Sequence, residues 1–265
     1  MSEDRVTYVG HATVLVELGG LRLLTDPVLR SRVGPLRRHG VAPTPGVTSD
    51  LDAVLISHLH RDHADVASLR RIDRETPVLA PPGAAGFIVR QEFSDVRELA
   101  PGESSAVGPV TVTAVEARHS VSSRNPLPVR FMHPMGPKGA PEALEAVGFL
   151  VEGGGRRVYF AGDTDLFEGM ERLGPVDLAL LPVWGWGPTL GPGHLDPERA
   201  ARAAALISPR IVVPIHWGTL YPLGLARLRP GPLREPPVEL VRRAAELAPQ
   251  VEVRVLEPGE STSLA

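Results

Sequence analysis

The stretch His58-Leu59-His60-Arg61-Asp62-His63 is the most informative part of the sequence. It directly follows the apolar run AVLIS at 53–57, which is typical of a buried β-strand. Imidazole and carboxylate groups are ligands for Zn²⁺, and also for Mn²⁺ or Fe²⁺. Alternate residues of an extended loop point the same way, so His58 and His60 can meet one ion while Asp62 and His63 turn toward a second. A solvated polar loop is the alternative, but only 9 histidines occur in the whole chain, which makes chance clustering a poor explanation.

Three later residues are natural completions of such a site. His119, Asp163 and His216 each follow a predicted β run. Active-site groups of α/β proteins gather at strand ends. Zinc takes about four ligands, so the short motif alone cannot fill two sites. We therefore expect these three side chains to join the motif, with Asp163 as the residue type that can bridge two cations.

The pattern of apolar runs predicts a layered α/β fold over a single domain, residues 1–265. Glycine pairs or triplets at 19–20 and 153–155 indicate hairpins. Predicted strands lie at 5–9, 13–18, 21–25, 53–57, 78–80, 96–99, 110–116, 147–152, 156–161, 178–181, 211–215 and 251–256. Predicted helices lie at 64–72, 84–90, 167–173, 197–207 and 238–247, and the segments 30–45, 120–145 and 220–237 are interpreted as loops.

Composition excludes several classes of protein. The formal net charge is -3, so the overall balance gives no sign of a basic footprint for nucleic acid or for an anionic membrane. The absence of cysteine removes disulfides, thiolate ligands and thiol nucleophiles. No signal-peptide pattern and no apolar run of about 20 residues occurs, and we expect a cytoplasmic protein without a transmembrane segment.

Other candidates have weaker support. His11, between two predicted strands, is an orienting residue or a structural hydrogen-bonding group. His194 precedes a predicted helix start at Asp196, where it could reach the site or only cap the helix. Trp184 and Trp186 could wall a pocket or pack under their loop. The histidines of the Pro- and Gly-rich loops, His39 and His133, are interpreted as solvated.

Taken together, these residues resemble the metallo-β-lactamase superfamily. HLHRDH resembles its HxHxDH signature. The stretches YVGHATVLVELGGLRLLTDPVLRSR, VYFAGDTDLFEGM and GHLDPERAARAAALISPRIVVPIHWGT are similar to the branch of the N-acyl-phosphatidylethanolamine-hydrolysing phospholipase D and its bacterial relatives, with the ascorbate-phosphate lactonase group nearby. The resemblance implies an αβ/βα sandwich of two mixed β-sheets flanked by helices. It also implies two metal ions, one held by His58, His60 and His119, the other by Asp62, His63 and His216, bridged by Asp163 and with His194 beside them.

The chemistry implied is hydrolysis by a water activated by the two metal ions. Zinc is the preferred metal, with manganese or iron as alternatives. Asp62 would orient the water as well as bind metal, and His194 could assist the leaving group. We expect a small-molecule or lipid-like anionic substrate, with a phosphodiester or related ester favoured and a lactone as the alternative. We expect no nucleic-acid partner, and a homo-oligomer is left open. The rival functions are a non-catalytic metal-binding domain and a di-iron redox protein. The redox branch usually has Glu at the position of His60 and a separate flavin domain.

Overall fold

The computed structural model describes residues 3–119, 139–140, 144–183 and 193–265. These residues form two seven-stranded sheets and one three-stranded sheet. The strands are β1 (Arg5–Gly10), β2 (Thr13–Leu18), β3 (Leu21–Thr25), β4 (Arg32–Val33), β5 (Leu36–Arg38), β6 (Ala53–Leu55), β7 (Val78–Ala80), β8 (Val96–Glu98), β9 (Ser104–Val107), β10 (Val110–Glu116), β11 (Val147–Gly153), β12 (Arg156–Phe160), β13 (Leu178–Pro182), β14 (Ile211–Ile215), β15 (Leu220–Pro222), β16 (Glu252–Val253) and β17 (Ser261–Ser263).

The described α-helices are mostly short. They are α1 (Val66–Leu69), α2 (Ala85–Val89), α3 (Pro197–Ile207), α4 (Leu225–Leu228) and α5 (Glu235–Leu247), with 3₁₀ turns at Pro45–Thr48, Glu168–Leu173 and Gly231–Leu233. Helix α3 begins where the sequence predicts, with the Asp196 side chain accepting from the Arg199 amide and a proline in the first turn. None of the described helices has both the length and the apolar character needed to cross a bilayer.

Both large sheets are mixed, which confirms the expected fold class. The first has the order β17-β1-β2-β3-β6-β7-β8 and the second the order β16-β14-β13-β12-β11-β10-β9. In each sheet, hairpin strands pair antiparallel on one side, as β2 does with β3. Strands joined by longer crossovers pair parallel on the other side, as β3 does with β6 and β12 with β13. The two glycine turns close the antiparallel pairs β2–β3 and β11–β12, as the sequence predicts.

The apolar core explains how the layers hold together. One cluster joins the two large sheets and extends to helices α3 and α5, with Tyr8, Phe149 and Leu240 fully buried. A second cluster lies between the first sheet and helices α1 and α2. Helices therefore cover both outer faces of the stacked sheets, and the parallel strand ends of both sheets are free to deliver loops to one edge.

Several boundaries differ from the sequence prediction. The predicted loops at 30–45 and 220–237 contain the three-stranded sheet, β15-β5-β4, and helix α5 begins at Glu235 rather than at 238. Strands β9 and β17 were not predicted, and the predicted helix at 64–72 is the single turn Val66–Leu69. The predicted strand at 251–256 is reduced to Glu252–Val253.

Candidate metal centre

The loops that follow several strands of the two large sheets converge at one edge. The motif 58–63 follows β6 of the first sheet, whereas His119, Asp163 and His216 follow β10, β12 and β14 of the second. His11 follows β1. The expected clustering at strand ends therefore occurs, and it draws on both sheets. Most of these side chains are buried, with exposures of 0–6% for His11, His58, Asp62, His63, Asp163, His194 and His216.

A first group consists of three histidines. Nε2 of His58 lies 2.9 Å from Nδ1 of His60, and Nε2 of His119 lies 3.2 Å from the same Nδ1. The Gly193 carbonyl oxygen lies 3.0 Å from Nδ1 of His119, on the opposite side of the ring, and orients it. His58, His60 and His119 each offer a ligand atom within 4.8 Å of the others. This is the set that the resemblance implies for the first ion.

A second group contains the expected Asp62, His63 and His216, and adds His11. Their ligand atoms also lie within 4.8 Å of one another. Nε2 of His11 is 3.1 Å from Oδ2 of Asp62, while Nε2 of His63 and Nε2 of His216 are 3.9 and 4.0 Å from the same oxygen. One carboxylate and three imidazoles thus face a common point.

Asp163 lies among these groups. Its Oδ1 is 3.2 Å from Nε2 of His216, and its Oδ2 is 3.3 Å from Nε2 of His63. The same Oδ2 is 3.5 Å from Nε2 of His194. The residue before it must be glycine, because a Cβ at Gly162, where φ is +59°, would lie 2.6 Å from the Cβ of Ser57. The close approach of the two loops places Asp163 beside the motif.

His11 fixes two of the expected ligands at once. Its backbone is in the left-handed region, with φ of 61°, and its carbonyl accepts from the His216 amide at 2.8 Å. Its ring packs at a tilt against that of His216, with centroids 3.8 Å apart, while its Nε2 contacts Asp62. The His11 amide in turn donates a hydrogen bond to the Tyr8 and Thr219 hydroxyls. Of the two interpretations that the sequence leaves open, the geometry favours the orienting one.

Asp26 is a site residue that the sequence reasoning missed. It lies just after β3, and its Oδ2 is 2.7 Å from Nδ1 of His63, opposite the ring nitrogen that faces Asp163. Ser57 donates its amide to Oδ1 at 2.7 Å and its hydroxyl to Oδ2 at 2.6 Å, so the carboxylate is held from both sides. The signal that could have found it is the placement of Asp26-Pro27 at the end of a predicted strand, the rule used for the other residues.

The electrostatics differ between the two groups. Burial lowers the pKa of His58 well below its usual range, and the neighbouring histidines His63 and His60 lower it further. Burial also lowers the pKa of His119 to about 3, against the attraction of Asp163. These two imidazoles are therefore neutral at neutral pH, which is the form that binds metal.

The second group concentrates negative charge. Burial disfavours a charge on His63, but Asp163, Asp26 and Asp62 outweigh it and raise the pKa of His63 well above its usual range. Burial likewise opposes a charge on Asp163 and on Asp62. The pKa of Asp163 is nevertheless held below its usual range by His216 and His63. The pKa of Asp62 is held below its usual range by His63 and His11. Three buried carboxylates around one imidazole call for added positive charge, which a proton or a metal ion can supply.

The donor set fits divalent metal ions. Nε2 of His63 and Oδ1 of Asp163 are fully buried and make no hydrogen bond with the described residues, although each faces the other site groups. The ion pairs that Asp26 and Asp163 make within the described chain are all with histidines. Imidazole nitrogens and carboxylate oxygens with no sulfur match the preferences of zinc, manganese and iron.

His194 lies inside the cluster rather than at the surface. Its ring is 4.8 Å from that of His119, edge to face, and it forms a third group of ligand atoms with His119 and Asp163. It stands ahead of helix α3, but Asp196 itself caps that helix. The carboxylate at the N-cap already occupies the positive end of the helix dipole, so the helix alone gives little preference for an anionic ligand.

The remaining candidates fall outside this centre or outside the described residues. His39 is half-buried, with its ring 6.4 Å from that of Tyr221 in the three-stranded sheet. Trp184, Trp186 and His133 lie outside the described residues, as does most of the loop at 120–145.

Comparisons with known proteins agree with the geometry. The family model described as the Beta-lactamase superfamily domain matches residues 21–217. A metal-dependent hydrolase of Rubrobacter xylanophilus is 34% identical over 97% of this chain and 95% of its own length. N-acyl-phosphatidylethanolamine-hydrolyzing phospholipase D 1 of Caenorhabditis elegans is 32% identical over 82% of this chain, and the match spans 64% of that protein. Igni18, a metallo hydrolase of Ignicoccus hospitalis, has the same fold, with a TM-score of 0.68, 23% identity and 98% of both chains covered.

Proposed function

Because the chain belongs to the metallo-β-lactamase superfamily, we propose that it is a hydrolase working with two divalent metal ions at the shared edge of its two large sheets. His58, His60 and His119 would hold one ion, and Asp62, His63 and His216 the other, with Asp163 between them. Zinc fits this set of nitrogen and oxygen ligands best, with manganese and iron as the alternatives.

The single observation that carries this proposal is the convergence of buried imidazole and carboxylate ligand atoms at one edge of the two sheets. The ligand atoms in each of the two groups lie within 4.8 Å of one another, and buried atoms of His63 and Asp163 lack hydrogen bonds with the described residues. Burying such groups without compensation is costly, and a cation bound among them would supply that compensation.

The protein residues have distinct tasks in the proposed reaction. A divalent ion supplies Lewis acidity and makes hydroxide available near neutral pH. Asp62 would accept a hydrogen bond from the attacking water, and Nε2 of His11 contacts Oδ2 of that carboxylate at 3.1 Å. His194, 3.5 Å from Asp163 and largely buried, would donate a proton to the departing oxygen.

For the substrate we propose an anionic ester, with a phosphodiester favoured over a lactone and over a β-lactam. The preference follows from the charge that a phosphodiester brings to a site with two cations and from the proton that a leaving alkoxide requires. The identity of the nematode relative as a phospholipase D supports the same substrate class. Since Asp196 caps helix α3, the helix contributes little to this preference.

The test is metal analysis followed by a hydrolysis panel. The protein is loaded with zinc, manganese or iron, and assayed with bis(p-nitrophenyl) phosphate, p-nitrophenyl acetate, an acyl homoserine lactone and nitrocefin. We expect about two ions per chain and turnover of the phosphodiester above that of nitrocefin. His60→Ala should remove activity and one ion, while His39→Ala, a histidine outside the centre, is the matched control. A folded, metal-loaded protein that hydrolyses none of the four substrates would favour a non-catalytic metal-binding role.

A further inference from the structure

The three-stranded sheet carries a local excess of positive charge. Arg32 of β4 and Arg37 of β5 are directly opposite each other in the antiparallel pair, and both are exposed. Like charges in that position are destabilising. Neither makes an ion pair with the described residues, and Arg32 only donates to the nearby Gly34 carbonyl. The fold therefore tolerates a repulsion that a neutral residue would remove.

Helix α4 adds further cations to the same face of this sheet. Tyr221 of β15 pairs with Arg37, so the two side chains share one face. The Tyr221 hydroxyl donates to the Arg229 carbonyl at 3.1 Å, which places the segment containing α4 over that face. Arg227 and Arg229 of this segment are exposed, again without an ion pair to any described residue.

Acidic residues are missing from both segments that build this surface. Neither 27–49 nor 218–234 contains Asp or Glu, although the whole chain has net charge -3. The overall balance therefore conceals a local asymmetry, because the cations come from two segments far apart in sequence that meet only when β5 pairs with β15.

Exposed leucines accompany the arginines. Leu228 is 81% exposed and Leu223 is 55% exposed, and they lie within and just before helix α4. We use the name arginine face for the surface formed by Arg32, Arg37, Leu223, Arg227, Leu228 and Arg229. Arginines beside exposed leucines are typical of protein surfaces that lie in a bilayer interface, where the apolar tips enter the acyl boundary and the cations meet lipid phosphates. A polynucleotide would use the cations but gain little from the leucines.

The arginine face is connected to the metal centre. Arg38, the neighbour of Arg37 on β5, is buried and donates to the carbonyls of Val9, Val28 and Arg30. The next residue, His39, donates its amide to the Thr219 carbonyl at 2.6 Å, and the Thr219 hydroxyl accepts the His11 amide. The sheet that carries the arginines is thus bonded to Val9 and Thr219, which lie close in sequence to His11 and His216 respectively.

We propose that the arginine face docks the protein on bilayers containing anionic phospholipids, with the edge that carries the metal centre close to the lipid surface. The association is peripheral and driven by charge, with the two leucines inserted at the level of the headgroups. It is independent of the proposed hydrolase activity, since the docking surface contains none of the metal-centre residues.

The experiment is vesicle co-sedimentation of the metal-loaded protein. Vesicles of phosphatidylcholine alone are compared with vesicles of equal parts phosphatidylcholine and phosphatidylserine. We expect binding to the anionic vesicles only, weakening as salt is raised. The double variant Arg227→Gln/Arg229→Gln should lower the partition coefficient about 30-fold, the fold-change that corresponds to about 1 kcal/mol for each arginine near an anionic surface.

Two matched controls isolate the surface. Arg90→Gln/Arg172→Gln removes two exposed arginines that lie outside the arginine face and form no ion pair with described residues, and it should bind like the unmodified protein. Leu228→Ser should weaken binding, whereas Val89→Ser, at a residue 55% exposed on helix α2, should not. Because all of these side chains are exposed, the variants are expected to fold.

The proposal is overturned by either of two results. One is absence of binding to anionic vesicles, and the other is an equal loss in the Arg90/Arg172 control. If vesicle binding is absent, binding to single-stranded DNA or heparin that the Arg227/Arg229 variant loses would make the surface a site for soluble polyanions. Each outcome is read from binding alone, so the result is separate from whether the hydrolysis panel succeeds.

Discussion

The substitution Asp26→Asn is the sharpest test of how the metal centre is organised. Oδ1 of Asp26 accepts the Ser57 amide at 2.7 Å, and Oδ2 lies 2.7 Å from Nδ1 of His63. An asparagine would keep its carbonyl oxygen on the Ser57 amide, because that partner can only donate. Its NH₂ group would then face Nδ1 of His63, which must become an acceptor, and the ring proton would move to Nε2. That nitrogen is the one 3.3 Å from Asp163, on the side of the proposed ion.

The expected magnitude follows from this change of tautomer. Loss of a carboxylate behind a ligating histidine costs about 10- to 100-fold in metal affinity, or about 1.4–2.7 kcal/mol. The same free energy is lost from the stabilisation that saturating metal gives to the folded chain. For a chain of this size the metal-induced rise in Tm should then shrink by roughly 3–10 °C. The ion held by the first group, His58, His60 and His119, should be affected less.

The assay is competition with a chromophoric chelator, together with thermal denaturation with and without metal. Asp65→Asn is the matched control, because Asp65 is also a buried carboxylate but pairs with Arg30 and caps helix α1 instead. The control should lose stability and keep its metal affinity. Unchanged affinity in Asp26→Asn, or an equal loss in Asp65→Asn, would refute the reasoning.

Three further expectations concern the same centre. Asp62→Asn should lower kcat at least about 10²-fold with the fold retained, since a water-orienting group is lost; steady-state kinetics on the metal-loaded variant check this, and near-normal turnover would contradict it. His194→Ala should lower kcat while elemental analysis still finds both ions, because neither proposed ligand set needs His194; loss of an ion would make it a ligand. Burial opposes charge on His63, but Asp163, Asp26 and Asp62 raise its pKa well above the usual range, so metal binding at neutral pH should release its proton and affinity should fall by up to about tenfold per unit as pH is lowered. Calorimetry in buffers of different ionisation enthalpy measures that proton, and a pH-independent affinity with no proton released would be inconsistent with it.

Residues next to strand ends were the most predictable part of the molecule. The order of strand and polar residue around His58, His119, Asp163 and His216 is a local property of the chain, and the structure brings these side chains together. Asp26 follows the same rule yet was overlooked, because its role depends on the ring of His63, which lies far along the sequence. His11 could be assigned only from contacts on both sides of its ring.

Elements set by tertiary pairing were not predictable in the same way. Strands β4, β5 and β15 have only two or three residues each, and their Pro- and Gly-rich surroundings resemble loops. They form because β5 pairs with β15, which lies far from it in the sequence. Helix α5 begins earlier than expected because its two prolines, Pro236 and Pro237, occupy the first turn, where a missing N–H costs nothing. The strand Ser261–Ser263 forms only because β1 offers it an edge.

Because the metal centre is divided between the two large sheets, mutations in the core between them can change its metal affinity. The motif 58–63 belongs to one sheet, whereas His119, Asp163 and His216 belong to the other. Neither sheet alone offers a complete set of ligands, so metal affinity depends on how the two sheets pack against each other. A cavity in the core between them, such as that created by Phe149→Ala, would change their relative position without touching a ligand. Loss of metal could therefore be the first sign of a packing defect that touches no ligand at all.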